Sequence, residues 1–211
     1  MITTYFFDID GTLLDSAPDI SGAVCEACGE AVPASVVQRY IGRPLAEMFA
    51  HFYPDAQAED IEGLCRLYRE RYRERAHAAT RVFPGVAEML AALPGRKSTA
   101  TTKSTVTAAA VLELFGLRDH FDHVQGSDNG RYKPDPAILL EAVEILGVRP
   151  GECLMVGDSP PDVEAGRRAG MRTCAVAWGY GDHSELKRLQ PDLWIEHPRE
   201  LLSGAGELGG K

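Results

Sequence analysis

The chain has 211 residues, enough for one sizeable core or for a core with a small inserted domain. With 45% hydrophobic and 25% charged residues it has the composition of an ordinary globular protein, and its formal net charge of −9 argues against nucleic acid or an anionic membrane surface as the main partner. An anionic substrate would have to be held locally, by a metal or by a few placed cations.

Thr4 to Ile9 is a short apolar and aromatic run closed by Gly11, the pattern of a buried strand. Asp8 and Asp10 stand two positions apart at its end. In an extended strand such residues share one face, about 6.6 Å apart along the chain, and two like charges about 4 Å apart at an effective dielectric near 20 repel by about 4 kcal/mol.

Residues 15 to 82 contain helical periodicity and no convincing strand. Ile61, Leu64, Cys65, Tyr68 and Tyr72 form one apolar stripe, opposite Arg66, Arg69, Glu70, Arg73 and Glu74. The interleaved glutamates make the charged side a solvated face rather than a basic patch. "VFPGV" (Val82 to Val86) marks the return from this insertion.

"RKSTAT" (Arg96 to Thr101) is polar for a central parallel strand, so a short or partly exposed strand is expected there. Phe121 to Gln125 is a weaker strand pattern, Pro136 to Leu146 a helix, and Glu152 to Val156 and Thr173 to Ala177 two further strands. "SGAGELGGK", from Ser203 on, reads as a frayed tail. Strands alternating with helices imply a doubly wound, mainly parallel, Rossmann-like α/β core of residues 1–14 and 83–211, with an inserted helical domain of residues 15–82.

No window approaches about 18 apolar residues and no signal peptide pattern opens the chain, so a cytoplasmic location without membrane attachment is expected. The odd set of five cysteines suits reduced core thiols, and Cys25-x-x-Cys28 has neither the second pair of a zinc site nor the preceding strand of a redox motif.

Counted from Asp8, an EF-hand would need glycine at the sixth and glutamate at the twelfth position, where Leu13 and Asp19 stand. No G-x-G-x-x-G follows the first strand, which sets aside a dinucleotide site. "MVGDSPPDVEAG" (Met155 to Gly166) instead ends a second apolar strand on Asp158 and adds Asp162 at a helix start that Pro160 and Pro161 favour. Adjacent strand ends would gather Asp8, Asp10, Asp158 and Asp162 into one pocket. Four carboxylates together require a cation, and oxygen ligands of this kind suit Mg²⁺.

"DIDGT", "TTK", "KPDP" and "GDSPPD", in that order, resemble the four motifs of the haloacid dehalogenase superfamily of phosphohydrolases, and the helical insertion resembles that family's type 1 cap. Within it, "DGTLLDSAPDI" and "WGYGDHSEL" look most like the phosphoglycolate phosphatases. The resemblance implies an Mg²⁺-dependent hydrolysis of a small phosphorylated metabolite by a monomer or homodimer. Asp8 would be the nucleophile that becomes an aspartyl phosphate, and Asp10 the general acid and then the base. Asp8, the Asp10 backbone carbonyl and Asp158 would hold the metal, with Asp162 orienting metal-bound water. Thr101 would donate its hydroxyl to a phosphoryl oxygen, Thr102 add a backbone contact, and Lys133 offset the charge of nucleophile and phosphate. Arg43, in "YIGRPL", is either a bidentate holder of a substrate carboxylate or a surface arginine at a helix start. The same motifs serve phosphatases of nucleotides, sugar phosphates and pyrophosphate, and phosphosugar mutases of the β-phosphoglucomutase kind. A non-enzymatic binding module predicts a missing catalytic residue, and none is missing.

Overall fold

The structure, a computed structural model, describes residues 1–208. In chain order its elements are β1 (Thr4–Phe7), β2 (Leu14–Asp15), α1 (Ala17–Cys28), α2 (Ala34–Gln38), α3 (Leu45–Phe52), α4 (Ala58–Glu74), β3 (Arg81–Val82), α5 (Val86–Ala92), β4 (Arg96–Thr99), α6 (Thr105–Leu114), α7 (Ala137–Leu146), β5 (Cys153–Gly157), α8 (Pro160–Arg168), β6 (Arg172–Val176), α9 (His183–Arg188), β7 (Leu193–Ile195) and α10 (Leu201–Glu207).

Period-two alternation along the strands makes the core two-sided. Tyr5 and Phe7 of β1, with Leu154 and Val156 of β5, face a cluster completed by α5, α6 and α10 through Val86, Leu90, Val111, Leu112 and Leu201. Phe6, Cys153 and Met155 face the other way, onto Ile138, Leu139 and Ala142 of α7 and Ala165 of α8. The five parallel strands lie in the order β4-β1-β5-β6-β7, in register Phe7↔Thr99, Phe7↔Val156, Gly157↔Ala175 and Val176↔Ile195. All carboxyl ends therefore emerge on one rim, the expected place for a ligand in an open α/β sheet. No helix among the described residues is long and apolar enough to cross a membrane.

Three features differ from the sequence reading, while β4 is short, as expected. Phe121 to Gln125 is not a strand and makes only the isolated bridge Ser98↔His123. Its neighbour β4 is an edge strand, yet Lys97, Ser98 and Thr99 are buried, because side chains substitute for a missing ladder. The Lys97 N–H donates to Asp122 Oδ2 (2.8 Å), while Thr99 Oγ1 donates to the Gln125 carbonyl (2.9 Å) and accepts from its N–H (2.8 Å). The polar letters of "RKSTAT" thus satisfy the backbone of an irregular segment. Second, β7 is too short to have been anticipated from periodicity. Finally, residues from Ser203 are not frayed as far as Glu207, since they continue α10, whose Leu201 and Ala205 are buried in the core; Gly209 to Lys211 lie outside the described residues.

Helices α1 to α4 pack around their own cluster of Ile20, Val24, Val37, Phe49, Tyr68 and Tyr72. The chain leaves for this layer and returns from it through the antiparallel ribbon Leu14↔Val82, Asp15↔Arg81. Asp19, fully buried in the first turn of α1, secures the return. Its carboxylate accepts from the N–H groups of Ala79 (2.9 Å) and Thr80 (2.7 Å), from Thr80 Oγ1 (2.8 Å) and from Arg75 Nε (3.3 Å). Burial pushes this carboxyl up, but the four donors more than offset it and hold it below the usual carboxylate value.

Replacing Asp19 by Ala orphans buried donors, so an unfolding free energy about 2–4 kcal/mol lower is expected near neutral pH. A carboxylate with a lowered folded-state pKa contributes stability above its unfolded value and loses it as pH falls. The gap between wild type and Asp19→Ala in urea titrations should therefore narrow below about pH 4.

Candidate active site

The Asp8 N–H donates to the Val156 carbonyl (3.0 Å), extending the ladder one residue past β1. The chain then curls: the N–H groups of Leu13 and Leu14 both donate to the Ile9 carbonyl (2.9 Å each), and Gly11 adopts a φ of 88°. The chain bends at Ile9, between the two aspartates, so the one-face rule for residues two apart lapses. Asp8 Oδ1 accepts from Lys133 Nζ (2.8 Å), whereas Asp10 Oδ1 accepts from Ser16 Oγ (2.5 Å) and Asp10 Oδ2 pairs with Lys103 Nζ (2.8 Å). The expected pocket of four carboxylates is thus corrected to three. Ligand oxygens of Asp8, Asp158 and Asp162 lie within 4.8 Å of one another, and the Asp10 side chain turns to a different set of partners.

Asp158 follows β5 and is held by Thr12 Oγ1 (3.1 Å) and by the Tyr180 N–H (2.8 Å). A Cβ at Gly11 or Gly179 would overlap its carboxylate, so both glycines are required for the close approach. Asp162 belongs to the capping box that starts α8: its Oδ2 accepts from the Ser159 N–H (2.9 Å) and Oγ (2.6 Å), leaving Oδ1 for Lys133 Nζ (2.5 Å). Lys133 spends its third N–H on the Ala100 carbonyl (2.7 Å).

One ammonium facing three buried carboxylates leaves negative charge uncompensated. Burial, then repulsion from neighbouring carboxylates, drives Asp8 up to about 7, although Lys133 opposes this, and drives Asp158 up to about 8. Burial alone would lower Lys133, but Asp162 and Asp8 more than reverse that and hold it protonated. An all-oxygen donor set with excess buried negative charge fits a hard divalent cation.

Thr101, just past β4, is fully buried; its Oγ1 accepts from the Lys103 N–H (3.4 Å), and its carbonyl accepts from Ser127 Oγ (3.1 Å). Thr102 and Lys103 border a cavity of about 540 Å³ that also touches Asp10, Tyr68, Tyr72 and Arg43. Arg43 precedes α3 and donates to Glu47 Oε1 (2.7 Å), with 39% of its side chain exposed. The site residues from the sequence therefore fall into two groups: Asp8, Thr101, Lys133, Asp158 and Asp162 at the sheet rim, and Asp10, Thr102 and Arg43 along the cavity.

Sequence reading passed over Lys103 and Tyr180. Lys103 closes the motif "TTK", so its position was visible, but nothing in a linear pattern aims it at Asp10. Tyr180 donates its N–H to Asp158 and its hydroxyl to Asp15 Oδ1 (2.7 Å), and that hydroxyl accepts from the Ala17 N–H (3.0 Å).

The sequence pattern of the haloacid dehalogenase-like hydrolases matches residues 5–176. The chain is 35% identical over 208 residues to a phosphoglycolate phosphatase of Xylella fastidiosa, covering 94% of this chain and 90% of that protein. It is 36% identical over 208 residues to one of Chromobacterium violaceum, covering 92% of each. Its fold is similar to that of a haloacid dehalogenase-like hydrolase from Streptococcus pneumoniae, with a TM-score of 0.87 at 27% identity, covering 96% of this chain and 97% of that one.

Groups whose folded-state pKa is raised, as for Asp8 and Asp158, favour folding below the unfolded value near 4 and lose that contribution as pH rises towards 7–8. Metal-free protein should therefore lose up to about 1.4 kcal/mol per pH unit for each such group across this window. Excess MgCl2 should raise the melting temperature more at pH 8 than at pH 5.5. Thermal unfolding with and without the cation checks this, and an increment equal at both pH values would contradict it.

Proposed function

The chain belongs to the haloacid dehalogenase-like hydrolases, and on that footing we propose that it is an Mg²⁺-dependent phosphomonoesterase acting through an aspartyl phosphate on 2-phosphoglycolate or a similar small phosphometabolite. The observation that carries the reading is Asp8, at the carboxyl end of β1, gripped by Lys133 beside Asp158 and Asp162.

Lys133 fixes one Asp8 oxygen and leaves the other free to attack phosphorus. As the Asp8 O–P bond forms, the P–O bond to the leaving group breaks, and Asp10 gives that oxygen a proton. In the second half Asp10, now ionised, takes a proton from the water that attacks the acyl phosphate, which restores Asp8 and releases inorganic phosphate. The hydroxyl of Thr101 and the backbone at Thr102 orient the phosphoryl oxygens, while Lys133 balances charge shared between nucleophile and phosphoryl group. Mg²⁺, held by Asp8, Asp158 and the Asp10 carbonyl with Asp162 behind it, would screen nucleophile from phosphate and polarise the phosphoryl group.

Residues 15–82 act as a cap in this scheme. Their α3 and α4 supply Met48, Tyr68 and Tyr72 to the wall of the cavity that Asp10 borders. Arg43, at the same wall, has one guanidinium nitrogen paired with Glu47, and its other N–H donors could meet a substrate carboxylate.

Asp8→Asn should lower phosphate release at least about a thousandfold while keeping part of the Mg²⁺-dependent gain in stability. Full activity in that variant would end this mechanism. Among 2-phosphoglycolate, p-nitrophenyl phosphate, nucleotides, pyrophosphate and β-glucose 1-phosphate, 2-phosphoglycolate should show the highest kcat/KM. A flat profile would remove the substrate assignment, and isomer formation from β-glucose 1-phosphate without phosphate release would indicate a mutase.

A further inference from the structure

Lys103 is a nearly buried cation outside the roles assigned so far, with 11% of its side chain exposed. Its Nζ pairs with Asp10 Oδ2 (2.8 Å), hydrogen-bonds the Tyr72 hydroxyl (3.2 Å) and lies 5.0 Å from the centroid of the Tyr72 ring. Lys133 contrasts with it. All three N–H donors of Lys133 are taken by Asp8, Asp162 and the Ala100 carbonyl, whereas Lys103 has two such partners among the described residues and borders the cavity. A third donor therefore remains for a ligand, on an ammonium already stripped of most of its water.

Its position selects what that ligand can be. If Asp10 protonates the leaving oxygen, the atoms next to that oxygen lie where Lys103 points. Arg43, the other cation considered for a leaving-group anion, is more exposed and engaged with Glu47. We propose that Lys103 is the specificity residue of the site, its ammonium binding a second anionic group carried by the leaving group next to the ester oxygen. The inference rests on the phosphomonoesterase reading above. A carboxylate one methylene away, as in 2-phosphoglycolate, and the second phosphoryl group of pyrophosphate both present that charge; a neutral sugar does not.

The test compares kcat/KM for 2-phosphoglycolate with that for its uncharged amide, 2-phosphoglycolamide, with pyrophosphate and p-nitrophenyl phosphate alongside. Wild type should prefer the acid over the amide by about tenfold or more, and Lys103→Met should bring that ratio to about one, chiefly through KM. Lys103→Arg should restore part of the ratio, and Arg43→Met should leave the ratio in place whatever its absolute rate. Should the methionine variant not fold, Lys103→Gln gives the same reading. Equal losses on acid and amide would make Lys103 merely a support for Asp10 and overturn the proposal while leaving the phosphatase reading intact. Phosphate release from p-nitrophenyl phosphate with no preference of wild type for either anion would overturn it too. No release from any of the four would overturn both. A preference for pyrophosphate over 2-phosphoglycolate, lost in Lys103→Met, would support the proposal with a phosphoryl group as the anion.

Discussion

Three carboxylates share the rim of the sheet with one ammonium, and most of the surrounding structure follows from that imbalance. Lys133 bonds Asp8, Asp162 and the Ala100 carbonyl with all of its donors, so no hydrogen-bonding capacity is left in it to neutralise Asp158. Hydrogen bonds from Thr12 and the Tyr180 backbone hold Asp158 in place without supplying a full charge. In a buried setting an uncompensated charge is costly, and the groups respond by holding protons unless a cation takes their place. The strain of assembling like charges is thus the same property that makes the rim a receptor for a divalent cation.

The rim is also tied to the helical layer. Tyr180 touches Asp158 through its backbone and Asp15 and Ala17 through its hydroxyl, while Trp178 Nε1 donates to the Thr12 carbonyl (3.0 Å). Asp15 lies in the two-strand ribbon through which the chain enters and leaves helices α1 to α4, and the Tyr180 ring lies 6.4 Å from that of Phe83, just past the ribbon. Asp19 secures the other side of this crossing. The helical layer and Asp158 are therefore joined by a few short hydrogen bonds, and Lys103 makes a second such link, from Tyr72 on α4 to Asp10.

What a linear reading reveals here depends on the range of the interaction. Alternation of Tyr5 and Phe7 against Phe6, and of Leu154 and Val156 against Cys153 and Met155, is written in the order of the letters, and it announces a sheet covered on both faces. The apolar stripe through Cys65, Tyr68 and Tyr72 is equally local, because helical spacing alone puts those residues on one face. β4 was harder to read: its polar residues look misplaced until Asp122 and Gln125 are seen bonding to them across about 25 residues of chain. Phe121 to Gln125 failed as a strand for the reciprocal reason, since its partners are side chains as well as backbone.

By itself the sequence determined the α/β alternation, the helical stretch between the first two motifs, and which residue types stand at the ends of β1 and β5, because each of these depends on neighbours within a few positions. Tertiary structure alone decided which carboxylates meet. The bend at Ile9 leaves Asp8 facing Lys133 and Asp10 facing Lys103, so two residues that an extended strand would align are given different partners. Pairings of that kind join positions about a hundred or more apart in the chain, and no local pattern encodes them: only the packed sheet, with its strand ends on one rim, brings the partners within bonding distance.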